Sequence, residues 1–206
     1  MSTDTVLPDD EACRMALGRA AVYACLARGF AAAAAMPAWP DADGEGSDPL
    51  ARRVWALRDA AEASDPDELR QAYMRVFDPR NPPYPLEAEH RTEHFRQRTD
   101  LLADVMGFYK AFAVEPDHER PDHVACELDF IHVVSLKEAR ALAAGRTEQA
   151  EICADARRAF LTDHLLTWYE AVVAMVRERA RPTDRFYRAL ADLLDTLMLQ
   201  EKESQS

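Results

Sequence analysis

The sequence predicts an all-α fold: a single-domain helical bundle of about seven to eight helices with Pro-rich connecting loops. Three observations predict it. Only six glycines occur, and the twelve prolines cluster between long helix-favouring stretches. Apolar residues recur at helical spacing in one segment after another. No stretch sustains the period-two alternation of a half-buried strand. A chain of 206 residues, 48% hydrophobic, is long enough for one full core and short for two. Residues 1–206 therefore read as one domain, with 1–10 and 200–206 as flexible ends.

A first helix is expected from about Glu11 to Ala35, with Met15, Val22, Leu26 and Phe30 on one stripe. Met36 to Pro49 holds three prolines, two glycines and four acids, the composition of an exposed loop. Leu50 to Ala63 is helical, and Ser64-Asp-Pro-Asp-Glu68 then restarts the chain with a cap, a first-turn proline and acids. The helix that follows carries Leu69, Tyr73, Val76 and Phe77. Asp78-Pro-Arg-Asn-Pro-Pro-Tyr-Pro85, with four prolines in eight residues, is an extended segment. Leu86 to Phe112 reads as one long helix with a bend near Gly107. Pro121 opens the next, which stops at Gly145, and Thr147 caps a helix running towards Trp168 and Val176. Pro182 starts the last, with Phe186, Leu190, Leu193, Leu194 and Leu197 spaced for burial.

Twenty-five basic against 37 acidic residues give a net charge of −12. That argues against nucleic acid or an anionic membrane as partner and suits a basic peptide, though acidity also serves solubility alone. Cys13, Cys25, Cys126 and Cys153 form no Cys-x-x-Cys pair and read as core residues in a reducing compartment. The N-terminal stretch lacks a basic region followed by an apolar run, and no apolar run could span a bilayer, so the expected location is cytoplasmic, without stable membrane association.

The stretch richest in chemistry is Pro121-Asp122-His123 followed by Glu127-Leu128 and Phe130. With Pro121 at a helix start, Asp122 falls in the first turn, and His123, Glu127 and Phe130 share a face. Two metal readings compete. His90-Arg-Thr-Glu-His94 matches the inverted zinc-protease pattern, with both imidazoles on one helix face and Glu93 between them. A second cluster joins His118 and His123 to Asp117, Asp122 and Glu127. The first lacks a third ligand and lies in a strongly polar run; in the second, His123 and Glu127 satisfy each other. His132 and His164 read as ordinary partly buried histidines. No Gly-x-Ser-x-Gly elbow and no phosphate-binding loop occurs, so catalysis and nucleotide binding have no warrant. No cofactor is expected. Tyr73, Phe77, Tyr84, Phe108, Tyr109 and Phe112 flank the Pro-rich segment, where they are core residues or the walls of a groove for a basic peptide with an apolar run.

These residues resemble the TorD/DmsD/NarJ family of chaperones that mature molybdenum redox enzymes. The resemblance rests on Pro121-Asp122-His123-x-x-x-Glu127-Leu128-x-Phe130 and extends to Tyr73-x-x-Val-Phe77, Pro82-Pro-Tyr-Pro85, Gly107-Phe-Tyr109, Phe160-Leu-x-x-His164-Leu-x-x-Trp168 and Phe186-Tyr187. It implies a cytoplasmic, non-catalytic chaperone. Such a protein binds the twin-arginine signal peptide of a molybdopterin oxidoreductase, or its apo-form, until the cofactor is inserted. The peptide-binding candidates are then Asp122, His123, Glu127, Tyr84, Pro85 and Tyr109, with Asp122 and Glu127 forking the guanidinium groups. The alternatives are a zinc metallohydrolase built on His90, Glu93 and His94, and a structural helical subunit of a redox complex.

Overall fold

A computed structural model describes residues 10–31, 39, 48–116 and 120–204. Its helices are α1 (Asp10–Phe30), α2 (Pro49–Glu62), α3 (Pro66–Val76), α4 (Glu87–Arg91), α5 (Phe95–Ala111), α6 (Val124–Ala143), α7 (Thr147–Phe160), α8 (Leu166–Arg179) and α9 (Arg185–Ser204). A π-helical turn over Leu161–Leu165 joins α7 to α8, so the two form one rod. Among the described residues there is no strand, only an isolated antiparallel bridge between Leu86 and His123. The all-α expectation is met.

Local chemistry accounts for most of the boundaries. Asp48 accepts from the N–H groups of Leu50 and Ala51 at 3.1 and 3.2 Å, with Pro49 in the first turn of α2. Asp65 does the same for Asp67 and Glu68 at 2.9 and 3.2 Å, with Pro66 opening α3. After α6, Gly145 takes φ +67°, and the N–H of Arg146 returns to the Ala141 carbonyl at 2.8 Å, a Schellman closure that only an unhindered residue enters freely.

Helix α6 is the central member. It packs on α1 along one side and α7 along the other, while α9 covers α1, α2 and α8. One apolar cluster runs through all of them, from Tyr23, Leu26 and Phe30 on α1 to Leu190, Leu194 and Met198 on α9. At one end a charged staple crosses the bundle: Arg19 and Glu138 pair at 2.8 Å, Arg157 and Glu201 at 3.4 Å, and Tyr23 donates to Glu201 at 3.0 Å. Glu201 belongs to the last turn of α9, so residues 200–204, expected as part of a flexible end, are helical.

Three expectations are corrected. The segment Leu86–Phe112 is not one helix: Thr92 adopts φ −124°, ψ 131° and breaks it into α4 and α5, whereas Gly107 lies inside an unbroken α5. Met15, placed on the buried stripe of α1, is 61% exposed. The flanking aromatics do not line one groove. Tyr73 and Phe77 pack with Phe30 and Tyr187, while Phe108, Tyr109 and Phe112 surround Phe130. Most of the Met36–Pro49 loop lies outside the described residues.

Candidate functional site

The Asp-His-Glu motif is built differently from its sequence expectation. Helix α6 begins at Val124 with His123 as its N-cap, so Pro121 and Asp122 precede the helix. His123 Nδ1 accepts from the N–H of Ala125 at 3.1 Å. Asp122 does serve a helix start, but that of α4. Its carbonyl accepts from Glu87 N–H at 2.9 Å, and its Oδ2 accepts from Ala88 N–H at 3.2 Å. Val124 N–H returns to the Pro85 carbonyl at 3.0 Å. The Pro-rich segment is thereby laced to the start of α6. Tyr109 Oη adds a bond to the Pro121 carbonyl at 2.8 Å. Burial raises the Tyr109 phenol far above its ordinary range, and the carboxyl groups around it add to the effect, so it acts as a donor.

Behind this lacing lies a buried polar cluster. Glu87, Asp122 and Glu127 have no exposed surface, and His164 has 2%. Asp122 is forked by Arg120 through two contacts of 3.1 Å. Glu87 pairs with Arg91 one turn along α4, and its two oxygens lie 3.1 and 3.0 Å from His164 Nδ1. Glu127 Oε2 accepts from Trp168 Nε1–H at 3.1 Å. His90, stacked on Trp168 at 5.5 Å, reaches the Tyr84 carbonyl through Nε2 at 2.9 Å.

Three buried carboxyls in one cluster would be ruinous if all were charged and unpaired. Two guanidinium groups, of Arg91 and Arg120, neutralise two of them. The third is neutralised by a proton. Burial and then the neighbouring Glu87 carboxylate push the Glu127 carboxyl well above the usual range, towards the protonated form. Glu127 Oε1 is buried without a hydrogen-bond partner among the described residues, a setting in which a charged oxygen is costly.

The structure therefore brings Asp122, His123, Glu127, Pro85 and Tyr109 together, with Tyr84 next to them. It does not present Asp122 or Glu127 as open carboxylates: both are buried and already partnered, and Tyr109 and Pro85 are buried as well. Tyr84 is half-buried and donates to the Pro79 carbonyl at 2.7 Å, and His123 is half-buried. The expected pairing of His123 with Glu127 is replaced by the Ala125 and Trp168 contacts.

The zinc-protease geometry fails because the break at Thr92 separates the imidazoles. His90 belongs to α4 and is held by Tyr84 and Trp168, while the exposed His94 is the N-cap of α5. Among the described residues no group of histidine, cysteine and acid side chains has metal-site geometry, and Asp117 and His118 lie outside them. The four cysteines are free, with Cys25 pushed up to about 11 by burial.

Sequence reasoning missed Glu87, Arg91, Arg120 and the role of His164. A signal for three of these was present, since Glu87/Arg91 and His164/Trp168 are four apart, the spacing of side chains on adjacent helical turns.

The profile of the nitrate reductase delta subunit family matches residues 44–174. The chain is 30% identical over 183 residues to a chlorate reductase assembly chaperone protein of Ideonella dechloratans, covering 84% of this chain and 86% of that one. It is 30% identical over 134 residues to a perchlorate reductase assembly chaperone protein of Dechloromonas aromatica (strain RCB), covering 63% and 58% of the two chains. A selenate reductase assembly chaperone protein of Thauera selenatis is 34% identical over 104 residues, covering 49% and 51%. No solved structure matches. The matched span includes the whole lacing of the Pro-rich segment onto α6 together with His164 and Trp168, and on this basis the chain belongs to the nitrate reductase delta subunit family of molybdoenzyme maturation chaperones, the TorD/DmsD/NarJ type.

Proposed function

We propose that this protein is a cytoplasmic assembly chaperone, not an enzyme, for a molybdopterin-containing oxidoreductase. It binds the partner's twin-arginine signal peptide, its apo-form or both, before export. The observation that carries this reading is the match over 84% of the chain to a relative named as a reductase assembly chaperone. A net charge of −12 favours a basic segment over nucleic acid or an anionic surface. Among the described residues no helix is long and apolar enough to cross a membrane. Residues 1–206 act as one domain in this reading, supported by the core that α1 and α9 share from opposite ends of the chain.

Within this proposal the motif residues divide their work. Tyr84 and His123, each half-exposed, offer edges for peptide contact. Asp122, Glu127, Pro85 and Tyr109 hold those edges in place from behind, through the α4 cap and the backbone bonds to α6. Affinity then depends mainly on apolar burial, because exposed charge contacts contribute only about 0–1 kcal/mol each.

The test is co-purification from the native host, followed by metal analysis of the captured partner. The expected partner is a molybdopterin oxidoreductase carrying its signal peptide and substoichiometric in molybdenum. Capture of only the loaded, processed enzyme would refute the maturation role.

A further inference from the structure

Helix α6 turns into α7 at Gly145, and Lys137 of α6 reaches across to donate to the carbonyl of Phe112, the C-cap of α5. Between these elements runs an open groove of about 360 Å³. Phe112, Ala141, Ile152 and Cys153 form its apolar floor. Ala141 and Cys153 are buried there, whereas Ile152, a large aliphatic side chain, is 54% exposed. The rim is cationic: Lys137, Arg140 and Arg146 line it, and among the described residues no acid does. Arg140 and Arg146 are exposed and form no ion pair among the described residues. The neighbouring Glu138 does not answer them, because it is committed to Arg19 at 2.8 Å and to Arg157 at 3.7 Å.

This groove runs against the charge of the rest of the chain. With 37 acids to 25 bases overall, three cations around an apolar floor form a local reversal of sign. An exposed aliphatic side chain beside unanswered charge is the composition of a surface that a partner covers, with an apolar centre and a polar rim. Its complement has two parts: an apolar side chain for the floor, and carboxylates placed to fork the Arg140 and Arg146 guanidinium groups. A basic signal segment carries the wrong sign for this rim. A nucleic acid or an anionic bilayer does not suit it either, since the net charge of −12 repels an extended polyanion.

We propose that the α6–α7 groove docks an acidic, apolar segment of the client's apo-form, a contact separate from the one that takes the client's basic segment. This assignment rests on the assembly-chaperone reading above. Two contacts of opposite sign on one client raise avidity while both are engaged, and each can be released without the other.

The test uses the full chain and the apo-form of the reductase that it captures from the native host. With benzoylphenylalanine in place of the exposed Gln149, which lines the groove, irradiation should cross-link the client through a segment in which acidic and apolar residues adjoin. The double variant Arg140→Glu, Arg146→Glu, altered only at exposed positions, should bind the apo-form about three- to tenfold more weakly, the scale of two solvent-exposed charge contacts. Added salt should narrow that difference. The client's isolated signal peptide should bind the double variant at least as tightly as it binds the parent protein. If the parent protein captures the reductase but the cross-link falls on its basic segment, falls on a second copy of this chain or does not form, the groove assignment is overturned and the chaperone reading stands. Equal weakening of the apo-form and of the signal peptide by the double variant overturns it as well. If the parent protein captures no reductase, the chaperone reading fails and the groove assignment falls with it.

Discussion

Glu127→Gln should make the protein's stability less dependent on pH. The amide copies the protonated acid in shape and charge, and its oxygen can accept from Trp168 Nε1–H. In the unfolded chain Glu127 titrates near its ordinary value of 4.5, whereas the folded carboxyl, raised chiefly by burial and next by Glu87, keeps its proton to higher pH. Between those two values the folded state holds one more proton than the unfolded state. Each unit of rising pH therefore removes about 1.4 kcal/mol from the unfolding free energy. The stabilisation from a buried neutral acid is complete below pH 4.5 and is lost as pH climbs through the folded value. The substituted amide does not titrate, so the variant should gain on the parent protein at that slope until the folded carboxyl ionises. A constant offset from the second amide hydrogen leaves the slope untouched. Urea unfolding at a series of pH values, followed by tryptophan emission and by circular dichroism, measures the difference directly. Parallel stability–pH curves for the two proteins would refute the protonated Glu127 and the charge balance built on it.

Asp122→Ala should cost about 1–3 kcal/mol in urea unfolding, since it removes the α4 cap and the partner of Arg120, whose partial exposure limits the loss. Asp122→Asn, which keeps an acceptor for Ala88, should cost less; equal stability of Asp122→Ala and the parent protein would show the cap to be dispensable. Phe130→Ala should cost about 3–5 kcal/mol, because Phe130 is fully buried and its ring lies 4.6 Å from that of Phe160 and 5.1 Å from that of Tyr109. Thermal unfolding would reveal a smaller loss if the neighbouring rings collapse into the cavity. Gly29→Ala should destabilise by about 1–3 kcal/mol before the helix-propensity gain is subtracted, because its Cβ would overlap the buried Leu190 side chain. Gly18→Ala, with open space around it, should instead stabilise by about 0.5–1 kcal/mol, and the two melting temperatures should move in opposite directions.

The helical character of the chain was legible because local signals agree with the tertiary outcome. Asp48-Pro49 and Asp65-Pro66 each cap a helix as their sequence announces, and Gly145 ends α6 as a glycine at that place should. The break at Thr92 was not legible from glycine or proline, since neither is there. It arises because α4 is held by distant partners, Asp122 at its start and Trp168 against His90, which override the local preference for a continuous helix. One cue was available: Gln97 Oε1 accepts from Glu93 and His94 N–H, half of a capping box readable as His94-x-x-Gln97. The candidate site shows the same division. The motif's residue types pointed to residues that the fold gathers in one place, yet Asp122 caps a helix that lies 34 residues before it in sequence, a pairing no local window contains. Glu127 and His164 gain their roles from burial beside Glu87, a property of packing rather than of spacing.

The π turn between α7 and α8 takes up one residue of slack. A regular helix advances about 100° per residue, and the wider turn holds one residue more than an α turn without ending the rod. Upstream of it, Phe160 packs on the rings of α5 and α6; downstream, Trp168, Val172 and Val176 join the same core. Deleting one residue from Leu161–Leu165 should therefore convert the turn to regular helix and leave Trp168 on Glu127 and Phe160 on Phe130. The same deletion inside α8 meets no such slack and turns every later side chain of that helix by about 100°. A one-residue deletion should thus be tolerated far better within the π turn than a few residues beyond it.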